Sequence, residues 1–182
     1  MPEQGFDPRE LAPDSMSAID QVLEAVERVL RAELADHHVL LADLEAKREA
    51  IRLANVARIN EITRREEQIL RRMAERAAQR KQLGERVAKL AKVEAAPMSV
   101  LIALANDARA MRLRELKGEL ETAGREIRRR STIVRSAAEA LSRHMAGVLQ
   151  TVTGALSRAG VYGRRGTLQL GQATASSVDV RS

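Results

Sequence analysis

Between Ser17 and Val93 the chain has no proline and a single glycine, Gly84. Across that stretch apolar residues return every three or four positions: Leu23, Val26, Leu30, Leu34, Leu41, Leu44 and Ile51, with His37 in step, then Ile59, Ile62, Ile69, Met73, Leu83, Val87 and Leu90. Side chains three and four apart share a helix face, so the spacing describes a heptad-like stripe. An unbroken helix over this stretch would be about 115 Å long. It would need a partner along its length, because isolated helices are marginal in water. The stripe thins between Ile51 and Ile59, where Asn55 and Arg58 fall near it, so a kink or a turn is expected near residues 52–58. The pattern leaves open one long bent helix or two helices. Ser17, with Asp20 three residues on, is the expected N-cap of the first.

The clearest break is Glu94-Ala95-Ala96-Pro97-Met98-Ser99. Proline lacks the amide hydrogen that a helix needs, and its ring clashes with the preceding turn. A second stripe then runs from Val100, Leu101 and Leu104 through Met111, Leu116, Leu120, Ala123 and Ile127. It continues through Val134, Ala138, Leu141, Met145, Val148, Val152 and Leu156, with a polar gap at Arg130 and Ser131. Gly160 is the expected residue past the last helix. A chain that runs out, reverses at a proline and returns reads as an antiparallel hairpin or bundle. The expected fold is therefore all-α, an elongated antiparallel hairpin or bundle of two to four long coiled-coil-like helices with disordered termini. Residues 1–14 hold three of the four prolines and are expected to be disordered; residues 15–159 form the helical domain; residues 160–182, rich in Gly, Ser and Thr, form a flexible tail.

Composition narrows the function classes. Phe6 and Tyr162 are the only aromatic residues, so a thick globular core built on rings is excluded, and Ala, Leu, Ile, Val and Met must fill narrow helix–helix seams. There is no cysteine, hence no disulfide and no thiolate metal site, which fits a reducing compartment. The first residues lack the apolar core of a secretory signal, and no charge-free apolar run reaches the ~20 residues that a bilayer requires. A cytoplasmic protein without membrane insertion is expected. The net charge of +6 and pI of about 10.4 permit nucleic-acid binding. Yet charges alternate in sign, as in Arg64-Arg65-Glu66-Glu67, which reads as a solvated, salt-bridged face. The basic run Arg125, Arg128, Arg129, Arg130 and Arg135 has Glu126 and Glu139 as counter-charges and no aromatic beside it for stacking on bases, so nucleic acid is not the expected partner.

Catalysis finds no support. There is no phosphate loop, zinc-helix motif or nucleophile elbow. His37 and His38 point about 100° apart on a helix and cannot share one metal, and His144 stands alone. No catalytic residue, metal ligand, cofactor or small-molecule substrate is expected; the chain should act by binding proteins. Tyr162 admits two readings, a ring folded back onto the bundle end or an anchor for docking.

Three segments resemble the FlgN-type flagellar type III export chaperones. The first is Leu41-x-x-Leu44-Glu45-x-x-Arg48-x-Ala50-Ile51. The second is Ile59-Asn60-Glu61-Ile62 and Glu67-x-Ile69-Leu70 ahead of Leu83-x-x-Arg86-Val87. The third, and the most discriminating, is Tyr162-Gly163-Arg164-Arg165-Gly166 after the last helix, which resembles the family's Tyr-Gly-x-x-Gly signature. The resemblance covers about residues 20–168 and departs at Arg128-Arg129-Arg130-Ser131-Thr132, where the family often carries asparagines. It implies a cytoplasmic chaperone that holds the terminal helical segments of hook-associated subunits and delivers them to the membrane gate of the flagellar export apparatus. The expected client groove comprises Ile127, Val134, Leu141, Met145, Val148 and Val152, and Tyr162, Gly163 and Gly166 are expected to dock at the gate. The alternative is a structural coiled-coil scaffold that self-associates without delivering a client.

Overall fold

A computed structural model describes residues 13–159, which form four helices: α1 (Pro13–Arg52), α2 (Val56–Ala91), α3 (Met98–Leu104) and α4 (Asp107–Ala159). The all-α architecture expected from the heptad spacing is the one observed. Pro13 opens α1, a position where the missing amide hydrogen costs nothing. Ser17 therefore lies inside the helix and is not its cap, a correction to the sequence reading. The rest of the stretch expected to be disordered lies outside the described residues, as do Gly160 and the tail.

The first stretch is two helices. At the end of α1 the Asn55 amide donates to the Ala50 carbonyl at 2.9 Å and the Ala54 amide to Ile51 at 3.0 Å, with Ala54 left-handed at φ 50°. The end of α2 repeats the device: Val93 donates to Ala88 at 3.0 Å, and Lys92 sits at φ 55°. Both are Schellman endings built on a residue that bears a Cβ where glycine is usual. The Asn55 side chain then caps α2 by accepting from the Arg58 amide at 3.0 Å. Because the left-handed conformation costs an L-residue about 1–2 kcal/mol, Ala54→Gly is expected to raise stability by about 0.5–1 kcal/mol after the entropic cost of glycine. Chemical denaturation of the two proteins reads this directly.

The chain divides into two units, residues 1–138 and 139–182. Within the first, the ion pairs give the helix directions. Glu33 meets Arg80, Asp36 meets Arg76, and Asp43 meets Arg65, so α2 numbers fall as α1 numbers rise and the pair is antiparallel. Asp20 meets Arg109, Glu27 meets Arg112, and Glu45 meets Arg130, so α1 and α4 run parallel. The main core gathers Ile19, Leu23, Val26 and Leu30 of α1 with Val87 and Ala91 of α2, Leu101 and Leu104 of α3, and Leu113 and Leu116 of α4. Each fully buried leucine or isoleucine there contributes about 1.5–3 kcal/mol of transfer free energy.

Two further corrections follow. α3 and α4 are separate, because Asn106 caps α4 by accepting from the Arg109 amide at 2.9 Å. The break shifts the stripe: Met111 is 58% exposed and Leu113 takes the core position. The alternating charges are also not all a solvated face. Glu66 is buried and accepts from Lys47 at 2.6 Å, and the neighbouring Arg65 donates to buried Asp43 at 2.5 Å. Along the α1–α2 seam, carboxylates paired across the helices thus alternate with Leu40, Leu44, Ile62 and Ile69.

Candidate functional site

The described residues offer two kinds of surface, charged and apolar. The charged surface is largely self-satisfied. Glu126 accepts from Arg129 at 2.9 and 2.8 Å and from Arg130 at 2.7 Å. Arg129 first and Arg130 second hold its carboxyl down at about 2, far below the usual carboxylate range. Of the basic run, Arg129 and Arg130 thus share Glu126 as a counter-ion, while Glu139, the other expected counter-charge, forms no ion pair among the described residues. Arg129 is exposed and Glu126 and Arg130 are half-buried, so water still screens this cluster; it adds little stability and weakens with salt.

The apolar surface lies on the second unit, where residues 139–159 are helical. Leu141 is half-buried, and every residue from Ser142 to Thr153 is exposed. On this stretch Met145 is 52% exposed, Val148 50%, Leu149 64% and Val152 49%. Leu141, Met145, Val148 and Val152 are spaced at four, three and four, the a/d pattern of a coiled-coil seam. Leu149 widens that seam on one side, and the sequence reading omitted it. Its signal was present in the Val148-Leu149 pair, but a reading that follows one residue per half-turn keeps only one of two adjacent apolar positions.

The remaining expected groove residues are placed differently. Ile127 is half-buried and Val134 is buried, and both belong to the first unit. Val134 and Leu44 line one shallow groove between α4 and α1, so that part of the stripe is engaged in the protein's own packing. Met145, Val148 and Val152 are the expected members that stand free among the described residues. Tyr162, Gly163 and Gly166 lie outside the described residues.

The three histidines are separated in the structure. His37 donates through Nδ1 to the Glu33 carbonyl at 2.7 Å within its own helix, while His38 and His144 are exposed. Among the described residues no group of three or more His, Asp or Glu side chains is arranged to hold a metal ion. No helix among them is long and apolar enough to cross a membrane.

A charged antiparallel hairpin in the first unit and an exposed apolar seam on the second are features that several binding proteins could share. The family comparison decides between them: the model of the FlgN protein family matches residues 16–169. The chain belongs to the FlgN family. This is a family of flagellar export chaperones, which work by binding export substrates rather than by catalysis. The match spans both units and the Tyr-Gly-x-x-Gly segment. Neither the curated proteins nor the solved structures contain a match.

Proposed function

We propose that this chaperone holds hook-associated subunits, the proteins of the hook–filament junction, by their terminal helical segments and delivers them in the cytoplasm to the export gate. The observation that carries the reading is the seam of half-buried Leu141 with exposed Met145, Val148 and Val152, widened by Leu149. A subunit built to polymerise exposes its own apolar helix stripe before assembly, and a complementary stripe covers it by side-by-side helix packing. Unbranched Met145 adapts to a partner surface more readily than a β-branched residue. Gate docking falls to Tyr162, Gly163 and Gly166, supported by the family signature in the sequence.

The test is co-purification with hook-associated subunits. Leu141→Asp combined with Met145→Asp places two charges in the seam and is expected to weaken client capture at least about a hundredfold, since burying an unpaired charge costs several kcal/mol. Undiminished recovery by this variant would remove the seam as the client site. If the unaltered chain instead forms a stable oligomer that the same variant dissolves, the scaffold reading is favoured. Tyr162→Ala is expected to leave client capture intact and reduce motility; normal swimming would rule out the docking role.

A further inference from the structure

We propose that the α1–α2 hairpin of the first unit exchanges its arms with a second copy of this chain. The hinge Leu53-Ala54-Asn55 straightens, α1 and α2 join into one helix, and two such helices pair antiparallel as a swapped dimer. The partner is a second copy because every contact it needs is already made within one chain. The ion pairs across the α1–α2 seam lie nearly evenly about Asn55. Asp43 and Arg65 stand 12 and 10 residues from it, Asp36 and Arg76 19 and 21, and Glu33 and Arg80 22 and 25. An antiparallel pair with its twofold axis at Asn55 remakes each of them between chains, which is the self-complementarity that a twofold interface requires.

Two further features set this hairpin apart from one that is only symmetric. The buried faces of α1 and α2 are in phase along the chain. Leu44 and Ile62 are 18 residues apart, as are Ile51 and Ile69, and Ile51 and Val87 are 36 apart. Those separations are whole numbers of turns at about 3.6 residues per turn, so a continuous helix presents all of these side chains on one face. A hairpin has no need of that agreement, because its turn sets the orientation of each arm separately. The hinge is also short, carries no glycine or proline, and holds Ala54 left-handed at φ 50°. Straightening returns Ala54 to the helical region, where alanine is the most favourable residue, and short hinges under strain are the ones that swap. Asn55, four residues past Ile51, then falls on the buried face opposite its own counterpart, where a polar residue fixes register.

Light scattering on size-fractionated protein, refolded at low and at high concentration, reads the dimer. Asn55→Leu removes the side chain that caps α2 in the hairpin and puts an apolar residue at the centre of the dimer, so it is expected to raise the association constant at least about tenfold. Val56→Pro is expected to lower it at least about a hundredfold, since proline breaks a helix interior. The hairpin accepts that proline: Val56 opens α2, and Asn55 before it, at φ −82° and ψ 84°, is outside the helical region. Only the amide bond from Val56 to the Ala54 carbonyl at 3.1 Å is given up. Spin labels at Ala42→Cys and Gln68→Cys, in a chain with no other cysteine, identify the topology. Both positions are exposed. In the hairpin they sit on neighbouring helices with axes about 10 Å apart, whereas along one continuous helix they are about 39 Å apart. When the labelled chain is refolded with an excess of unlabelled protein, the dimer fraction is expected to show the longer distance and the monomer the shorter. A dimer with only the shorter distance, or one that Val56→Pro leaves intact, overturns the proposal, as does the absence of any dimer in both the unaltered and the Asn55→Leu proteins. Leu141→Asp with Met145→Asp is expected to leave the dimer unchanged; a dimer that those substitutions dissolve is built on the client seam, and the swap falls.

Discussion

Replacing Leu113 with alanine is expected to destabilise the protein by about 2–5 kcal/mol, while Met111→Ala changes stability by less than about 0.5 kcal/mol. Leu113 is fully buried in the cluster that joins α1, α3 and α4, whereas Met111, two residues earlier, is 58% exposed. Truncating a buried leucine removes the transfer free energy of its methyl groups and leaves a cavity that close-packed neighbours fill only in part. An exposed methionine has neither cost. For a chain of this length the alanine at 113 should lower Tm by about 6–15 °C. Thermal melts of the two variants separate the two registers of α4, and equal melting points would return Met111 to the core.

That pair of residues also shows where the sequence was legible and where it was not. Leu104 and Met111 are seven apart, so a single continuous helix puts both on one face. The two-residue interruption at Ala105-Asn106 moves the phase by two, from 111 to 113, and the stripe downstream then runs Leu113, Leu116, Leu120, Ala123. The signal for the break was Asn106, a good N-cap, with Asp107 favourable to the helix dipole behind it. It carried no proline or glycine to mark it. The same absence hid the end of α1, because its left-handed residue is Ala54, and only the thinning of the stripe pointed there. Where a break was chemically explicit, at Pro97, the sequence located it.

The candidate surface was legible to the extent that it is periodic. Heptad spacing singled out Leu141, Met145, Val148 and Val152 as one face, but it could not tell a face packed inside the protein from a free one. Ile127 and Val134 continue the same spacing and are half-buried and buried. Burial depends on whether another helix lies alongside, and that is a property of the whole fold. The buried charges were invisible for a related reason. Glu27, Glu33, Asp36 and Asp43 look like surface residues of a charged helix, and the arginines that permit their burial lie 22 to 85 residues away.

Glu27 carries the second large expectation. It is 5% exposed, accepts from Arg112 at 2.8 Å, and lies 3.6 Å from Arg109 Nε. The Arg112 hydrogen bond, followed by the charges of Arg112, Arg31 and Arg109, outweighs burial and lowers its pKa below the ordinary 4.5. A lowered carboxylate pKa means that the unfolded chain binds the proton more tightly. The resulting stability is complete above about pH 4.5 and is lost as the pH falls through the folded value. Glu27→Gln should therefore flatten the acid side of the stability profile below pH 4.5 relative to the unaltered chain. Glu27→Leu goes further, because it leaves the guanidinium of Arg109, whose side chain is only 11% exposed, with Asp20 as its remaining carboxylate. Removing one member of a buried ion cluster typically costs 3–5 kcal/mol, and here about 2–3 kcal/mol is expected, since Arg112 is half-exposed and can return to water. Adding Arg109→Met removes the stranded charge. Asp20 is exposed enough to rehydrate, so the double variant should regain all but about 1 kcal/mol of the loss. Urea denaturation of the two single variants and the double variant closes the cycle. Losses that simply add would mean that Glu27 and Arg109 act independently, and that their contact does not help to align α1 and α4.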